Sequence, residues 1–440
     1  MNRTRGKWAA VVALLALVAS GAVADQVKLN VALGKPFLLA GQKQTTFLKV
    51  GLTGFVLAGE EHRTPVNVAI VLDRSGSMSG EKIAKVKEAA LMALEKLGPR
   101  DIVSVVAYNH LVEVLLPATK ATDKAAIREA INRLTADGTT ALFAGVSKGA
   151  DELRKFLDKR RANRIILLSD GLANVGPSSP TELGELGASL IKEGISVTTI
   201  GYGTDYNEGL MTQLARRSDG NHAFVKEPAD LARILKCEFG DVLAVVAQEV
   251  VMKVQCAEGI RPLRFLGREG DIAGQVGTVS LNQLISEQEK YLLLEVEVPA
   301  GRVNAVRDVA TVSISYLNMQ TKTTDTLTSA LAVRFTEDPK AVEKAESREV
   351  MTTAVEQIAN DNNKLAVALR DKGKIEEAKK VLLDNAGFLK YNAGKYQSQR
   401  LQSQADYNDS NAGKLNDKDW EVERKRMRDD QMQRDVQRSY

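Results

Sequence analysis

The chain has 440 residues, with 44% hydrophobic and 26% charged side chains and a formal net charge of +4. That composition excludes disorder along the whole length, and the small net charge excludes a chain-wide nucleic-acid footprint. Two cysteines and three scattered histidines (His62, His110, His222) cannot build a disulfide scaffold, a zinc site of four cysteines or an HExxH metalloenzyme.

Residues 1–24 place Arg3, Arg5 and Lys7 before a short apolar stretch that ends at Ala22-Val23-Ala24. This is the layout of a cleavable signal peptide with cleavage after Ala24. The apolar stretch is short for the roughly 20 residues that span a bilayer. The expectation is a periplasmic or secreted protein with no transmembrane segment in the mature chain. Without the three basic residues the formal charge falls to about +1, so the basic tilt belongs to the address. In an oxidising compartment Cys237 and Cys256 are candidates for one disulfide, the alternative being two buried thiols.

Residues 25–63 carry alternating, strand-like stretches. Residues 66–72 (VNVAIVL) are almost continuously apolar, as expected of a strand covered on both faces. From there to residue 247 strands alternate with helical periods, with helices expected at 82–97, 124–134, 142–157, 181–193, 209–217 and 228–247. The expected fold class is α/β, a doubly wound, mostly parallel sheet over residues 64–247. Residues 248–336 return to strands without a helical period and predict a β-sandwich-like region. The strands of residues 25–63 have no helices to pair with and are expected to join it. Residues 337–402 predict a helical hairpin, part of which resembles half of a tetratricopeptide repeat. Residues 403–417 are polar and expected to be flexible. Residues 418–439 mix both charges, which predicts a solvated helix or frayed tail.

The first buried strand ends in Asp73-Arg74-Ser75-Gly76-Ser77. A carboxylate and two hydroxyls on one turn suit a hard divalent cation, although the same residues could simply start a helix. Asp137-Gly138-Thr139-Thr140 precedes a predicted helix, and Ser169-Asp170-Gly171 ends the second buried strand. Ligands of open α/β sheets bind outside the carboxyl ends of the strands where the strand order reverses. Asp73 and Asp170 face each other if their strands are neighbours at that point.

With these residues in place, the chain resembles a von Willebrand factor type A domain with a complete metal-ion-dependent adhesion site. Asp73, Ser75 and Ser77 match the family's DxSxS motif, Thr140 its second-loop threonine, with Thr139 the competitor one residue away, and Asp170 its later aspartate. The flanking strands make the layout similar to bacterial exported A-domain proteins and inter-α-trypsin-inhibitor heavy chains. The resemblance implies Mg2+ (or Mn2+ or Ca2+) held by these five residues, and a protein partner that presents an Asp or Glu carboxylate. No catalytic residue is expected, since no second metal site or general base stands in the sequence beside these five, and the small net charge leaves no nucleic-acid partner expected. In integrin-type relatives the last helix shifts with the state of the metal site, so a Cys237–Cys256 bond would restrain it. Two other readings stand beside this one: an envelope assembly or scaffold factor acting through its helical C-terminus, and, more remotely, a metal-dependent hydrolase. Gly145-x-Ser147-x-Gly149 matches a nucleophile elbow but falls inside a predicted helix, where that motif has no function.

Overall fold

A computed structural model describes residues 26–416 and 420–438. The signal-peptide expectation lies outside the described residues.

Three strands come first: β1 (Lys28–Leu33), β2 (Phe37–Leu39) and β3 (Gln44–Thr53). The α/β domain follows, with β4 (Val66–Asp73), α1 (Glu81–Leu94), β5 (Ile102–Tyr108), β6 (Val112–Lys120), α2 (Lys124–Asn132), α3 (Leu142–Arg154), β7 (Ala162–Ser169), α4 (Pro180–Lys192), β8 (Ile195–Tyr202), α5 (Glu208–Arg217), β9 (His222–Val225) and α6 (Pro228–Leu243). Its sheet runs β6-β5-β4-β7-β8-β9, parallel except for the antiparallel pairing of β5 with β6. The order reverses between β4 and β7, which puts the carboxyl ends of these two strands at the crevice where such sheets bind ligands.

The continuous apolar run of β4 has a physical reading. Side chains alternate across a strand. Val68, Ile70 and Leu72 enter the core that holds Val86 of α1 and Leu231 of α6, while Ala69 and Val71 enter the core that holds Val146 of α3 and Leu183 of α4. Helices cover both faces, so neither side of the strand can be polar.

The second β region comprises β10 (Val245–Cys256), β11 (Arg261–Leu266), β12 (Asp271–Ala273), β13 (Val276–Ile285), β14 (Glu289–Val298), β15 (Val306–Asn318) and β16 (Thr324–Thr336). One sheet runs β1-β3-β14-β11 and the other β12-β13-β10-β15-β16-β2. Their inner faces share one core, in which Leu48 and Leu294 meet Val254 and Ile314. The early strands therefore belong to this sandwich, and the α/β domain is inserted between its parts. The two units are stitched by polar contacts: Arg164 Nη2 donates to Gln283 Oε1 at 2.6 Å, Asn282 Nδ2 to Ser196 Oγ at 2.6 Å, and Thr64 Oγ1 to the Val245 carbonyl at 2.7 Å.

The C-terminal region departs from expectation. It holds α7 (Pro339–Ala345), α8 (Arg348–Asp371), α9 (Ile375–Tyr396), α10 (Gln399–Lys414) and α11 (Trp420–Val436). The stretch expected to be flexible is mostly α10, whose Leu401 and Ala405 share a core with Met351 of α8 and Leu389 of α9. The stretch expected to be solvated is mostly α11, with Met427, Met432 and Val436 buried. Both helices carry few apolar residues among many polar and charged ones, and no single apolar stripe marks α11: Trp420 and Met427 pack in one core, Met432 and Val436 in another with Ala215 of α5. Among the described residues no helix is long and apolar enough to cross a membrane.

The Cys237–Cys256 disulfide is also overturned: both thiols are free. Cys237 lies in α6 and Cys256 is the last residue of β10. What remains of α6 after Cys237 covers about 9 Å, while β10 carries the chain about 35 Å. The two Cα atoms therefore stand on the order of 20 Å apart, against a limit of about 7 Å for a disulfide. Burial pushes the Cys256 thiol up to about 11, which keeps it protonated and unreactive at neutral pH.

Candidate metal centre

Asp73 is the last residue of β4, and the register sets Leu72 opposite Leu168 of β7. Asp73 is fully buried. The Ser75 backbone N–H donates to its Oδ1 at 2.8 Å and the Ser169 hydroxyl to its Oδ2 at 2.6 Å. Burial raises the Asp73 pKa above the ordinary carboxylate range, and the hydrogen bonds from Ser169 and Ser75 oppose this.

The loop after β4 is zipped to the loop before α3. The Gly76 N–H donates to the Gly138 carbonyl at 2.9 Å and the Asp137 N–H to the Arg74 carbonyl at 2.8 Å. Asn109, just past β5, holds the second loop from outside: its Nδ2 donates to the Asp137 carbonyl at 3.0 Å, and its own carbonyl accepts from the Ala141 N–H at 2.7 Å. Gly138 has φ of +74°, a left-handed turn that glycine adopts without steric cost. That turn decides between the two threonines. Thr139 is exposed and Thr140 is buried. The Thr140 N–H donates to Asn174 Oδ1 at 2.8 Å, which pins the loop after β7 against it.

Three hydroxyls face one small space. A methyl group placed on Gly171 would lie 3.1 Å from Thr140 Oγ1, 3.4 Å from Ser77 Oγ and 3.7 Å from Ser75 Oγ. The space exists because residue 171 has no side chain. Ser75 Oγ and Ser77 Oγ stand 3.1 Å apart, and the Ser77 hydroxyl donates to Asp170 Oδ1 at 2.6 Å. With its O–H donated to Asp170, Ser77 accepts from the Ser75 hydroxyl and keeps one lone pair for another partner. Asp73, Ser75, Ser77, Thr140 and Asp170 are thus brought together at the switch point. Neutral hydroxyls in front of two buried carboxylates suit Mg2+ or Mn2+, hard ions that take oxygen and keep some of their water. Among the described residues no group of three His, Cys, Asp or Glu could hold a metal ion, so a cation would rest on hydroxyls as much as on carboxylates.

Several residues of this centre carry no motif. Ser169 and Tyr108 reach Asp73, and Asn109 and Asn174 hold the Thr140 loop. Lys82, in the first turn of α1, sits on Asp170 Oδ2. Only the ends of the apolar runs could have flagged them, since Tyr108 and Ser169 close β5 and β7 as Asp73 closes β4.

The remaining sequence candidates have other roles. Gly145 and Gly149 lie in α3, where an added Cβ would meet the Tyr108 ring at 2.7 Å and Val71 Cγ2 at 2.6 Å. They let α3 approach the sheet closely, and Ser147 is no nucleophile elbow. His110 is exposed in the turn after β5. His222 is buried, with Thr199 Oγ1 at 2.8 Å from its Nδ1 and the Tyr206 hydroxyl at 3.3 Å from its Nε2.

The von Willebrand factor type A domain model matches residues 67–236. A Synechocystis protein, sll0103, is 28% identical over 244 residues, 53% of this chain and 57% of its own length. The human inter-alpha-trypsin inhibitor heavy chain H3 is 30% identical over 175 residues, 38% of this chain and 20% of its own length. The chain thus spans little more than half of the first relative and a fifth of the second. Among solved structures, a von Willebrand factor type A protein from Catenulispora acidiphila aligns with a TM-score of 0.68 at 18% identity, covering 87% of this chain and 90% of its own. The ArnB paralog VWA2 from Sulfolobus acidocaldarius aligns with a TM-score of 0.61 at 17% identity, covering 93% and 99%. At these identities the likeness is one of fold, and it extends across the sandwich and helices as well as the inserted domain. Residues 67–236 of this chain belong to the von Willebrand factor type A family.

Proposed function

We propose that the protein is a non-enzymatic binding module that holds a divalent cation at Asp73, Ser75, Ser77, Thr140 and Asp170 and captures an acidic side chain of a protein partner. The observation that carries this reading is the convergence of three hydroxyls on the space beside Gly171. A bound Mg2+, Mn2+ or Ca2+ would supply an electrophilic centre with exchangeable water. Ser75, Ser77 and Thr140 present neutral oxygens to it. Asp170 orients Ser77 by accepting its hydroxyl hydrogen bond, and Asp73 holds the Ser75 backbone and the Ser169 hydroxyl in place. With little anionic charge in direct contact, the cation keeps its appetite for one more carboxylate, and Ser77 is exposed to solvent on that side. Neither an imidazole nor a free carboxylate stands among these contacts as a general base, which weighs against hydrolysis. The basic, apolar and A-x-A segments of residues 1–24 support export to the periplasm or beyond.

The test is retention of partners from an extract of the source cells. Proteins held by the wild type in Mg2+ should be released by EDTA and absent from Asp73→Ala. The same proteins held by wild type, by Asp73→Ala and in EDTA would refute the reading.

A further inference from the structure

Lys82 is a charged feature of the centre that the motif does not explain. It stands in the first turn of α1, directly after the loop that carries Ser75 and Ser77. Its Nζ is ion-paired to Asp170 Oδ2, while Asp170 Oδ1 accepts the Ser77 hydroxyl at 2.6 Å. Asp170 is fully buried, whereas the Lys82 side chain keeps 29% of its exposure. The ammonium therefore covers Asp170 from the solvent side. Its Nζ also stands 5.9 Å from the Tyr202 ring centroid and beside Gly203, where an added Cβ would be in van der Waals contact with it at 3.4 Å. The missing side chain of Gly203 and the ring face of Tyr202 leave Lys82 a resting place on the rim of the site other than Asp170. Arg74, the other cation on these loops, is held by Asp137 at 3.2 Å and Glu113 at 3.7 Å.

We propose that Lys82 is a built-in competitor for the cation and a second anchor for the captured carboxylate. This rests on the metal-dependent reading above. In the metal-free protein Lys82 neutralises Asp170, so the buried carboxylate is never left without a counter-charge. A divalent ion seated against Ser75, Ser77 and Thr140 takes over that role, and two cations cannot share Asp170 without strong repulsion. Lys82 then moves aside toward Tyr202 and Gly203 and points its three donors at the open face. A carboxylate has two oxygens. One takes the exchangeable position at the cation and the other accepts from Lys82. The residue thus weakens metal binding and strengthens carboxylate binding.

Opposite signs make the test sharp. Mn2+ affinity is measured by electron paramagnetic resonance on the full chain from residue 25, for wild type, Lys82→Met and Ser75→Ala. Acetate is then titrated at saturating Mn2+, and its displacement of metal-bound water is followed by proton relaxation. Lys82→Met should bind Mn2+ about tenfold more tightly, the scale expected for removing one nearby positive charge, and should bind acetate several-fold more weakly. Unchanged or weaker Mn2+ binding in a folded Lys82→Met protein would overturn the competitor role, and unchanged acetate binding would overturn the anchor role. Absence of Mn2+ binding in the wild type, or equal binding by Ser75→Ala, would overturn the metal site itself together with both.

Discussion

The C-terminal helix α11 should be a structural clamp on the A-type domain, and Glu208 is where that is best tested. Lys425 of α11 donates to Glu208 Oε2 at 2.8 Å and to the Tyr206 carbonyl at 2.9 Å, and its Nζ lies 4.7 Å from the Tyr206 ring centroid. The two charged side chains are 5% and 2% exposed, and Arg424 also reaches Glu208. Burial works against the Glu208 charge, yet Lys425 and Arg424 hold its carboxyl below the ordinary range. Replacing Glu208 by Gln keeps the shape and removes the charge, which leaves the buried Lys425 ammonium with an amide, a carbonyl and the Tyr206 ring in place of its carboxylate. Breaking a buried pair from one side costs about 3–5 kcal/mol. Lys425→Met should cost less, because Glu208 retains Arg424. The double variant should cost less than the sum of the two singles, by about 1 kcal/mol or more. The assay is urea unfolding followed by the fluorescence of Trp420, the sole tryptophan of a chain that starts at residue 25 and itself packed at the start of α11 beside Arg370. A loss under about 1 kcal/mol for Glu208→Gln, or strict additivity, would show that α11 is not docked in solution.

Further outcomes follow from other parts of the structure. Burial lowers the His222 pKa to about 4, with Glu208 raising it and Lys425 lowering it against that background. The folded protein then keeps His222 neutral while the unfolded chain takes up a proton below about 6.5, so this residue's contribution is complete above that pH and is lost as the pH falls toward 4. The loss is about 3 kcal/mol, and it should appear as a steeper acid destabilisation in wild type than in His222→Gln. Gly171→Ala should leave the melting temperature nearly unchanged yet weaken Mn2+ binding at least tenfold, because the new methyl fills the space the three hydroxyls face; undiminished binding would move the site elsewhere. Cys237 and Cys256 should both react with a thiol reagent in denaturant without prior reduction, and Cys256 should be inert in the native protein; a mass lower by two hydrogens would restore the disulfide.

The α/β domain was legible because β4 and β7 are covered on both faces and cannot hide their apolar runs among polar residues. Four of the five motif residues were legible for a related reason: Asp73, Ser75, Ser77 and Asp170 lie at or just beyond the ends of β4 and β7, where a short polar cluster interrupts strong periodicity, while Thr140 stands in the loop before α3. Lys82, Asn109 and Asn174 were not. Their roles depend on which loops meet, and a helix-surface lysine or a loop asparagine has no spacing that marks it. The C-terminal helices were misjudged because α10 and α11 bury polar side chains as well as apolar ones. Asn408, Gln431 and Lys425 are all nearly inaccessible, and a charged sequence gives no sign that its charges have partners on another domain. The cysteines were misjudged because proximity along the chain says nothing of direction. A long strand carried Cys256 away from the helix that holds Cys237.

The central claim is that three hydroxyls hold a cation beside Gly171, and a crystal grown or soaked with Mn2+ tests it directly through the ion's anomalous scattering. The predicted result is one strong peak within about 2.0–2.4 Å of Ser75 Oγ, Ser77 Oγ and Thr140 Oγ1, with Asp73 and Asp170 behind them and Lys82 turned away from Asp170. A Mn2+ peak elsewhere, or an ordered site with Lys82 still on Asp170 and no peak at saturating metal, would contradict the account.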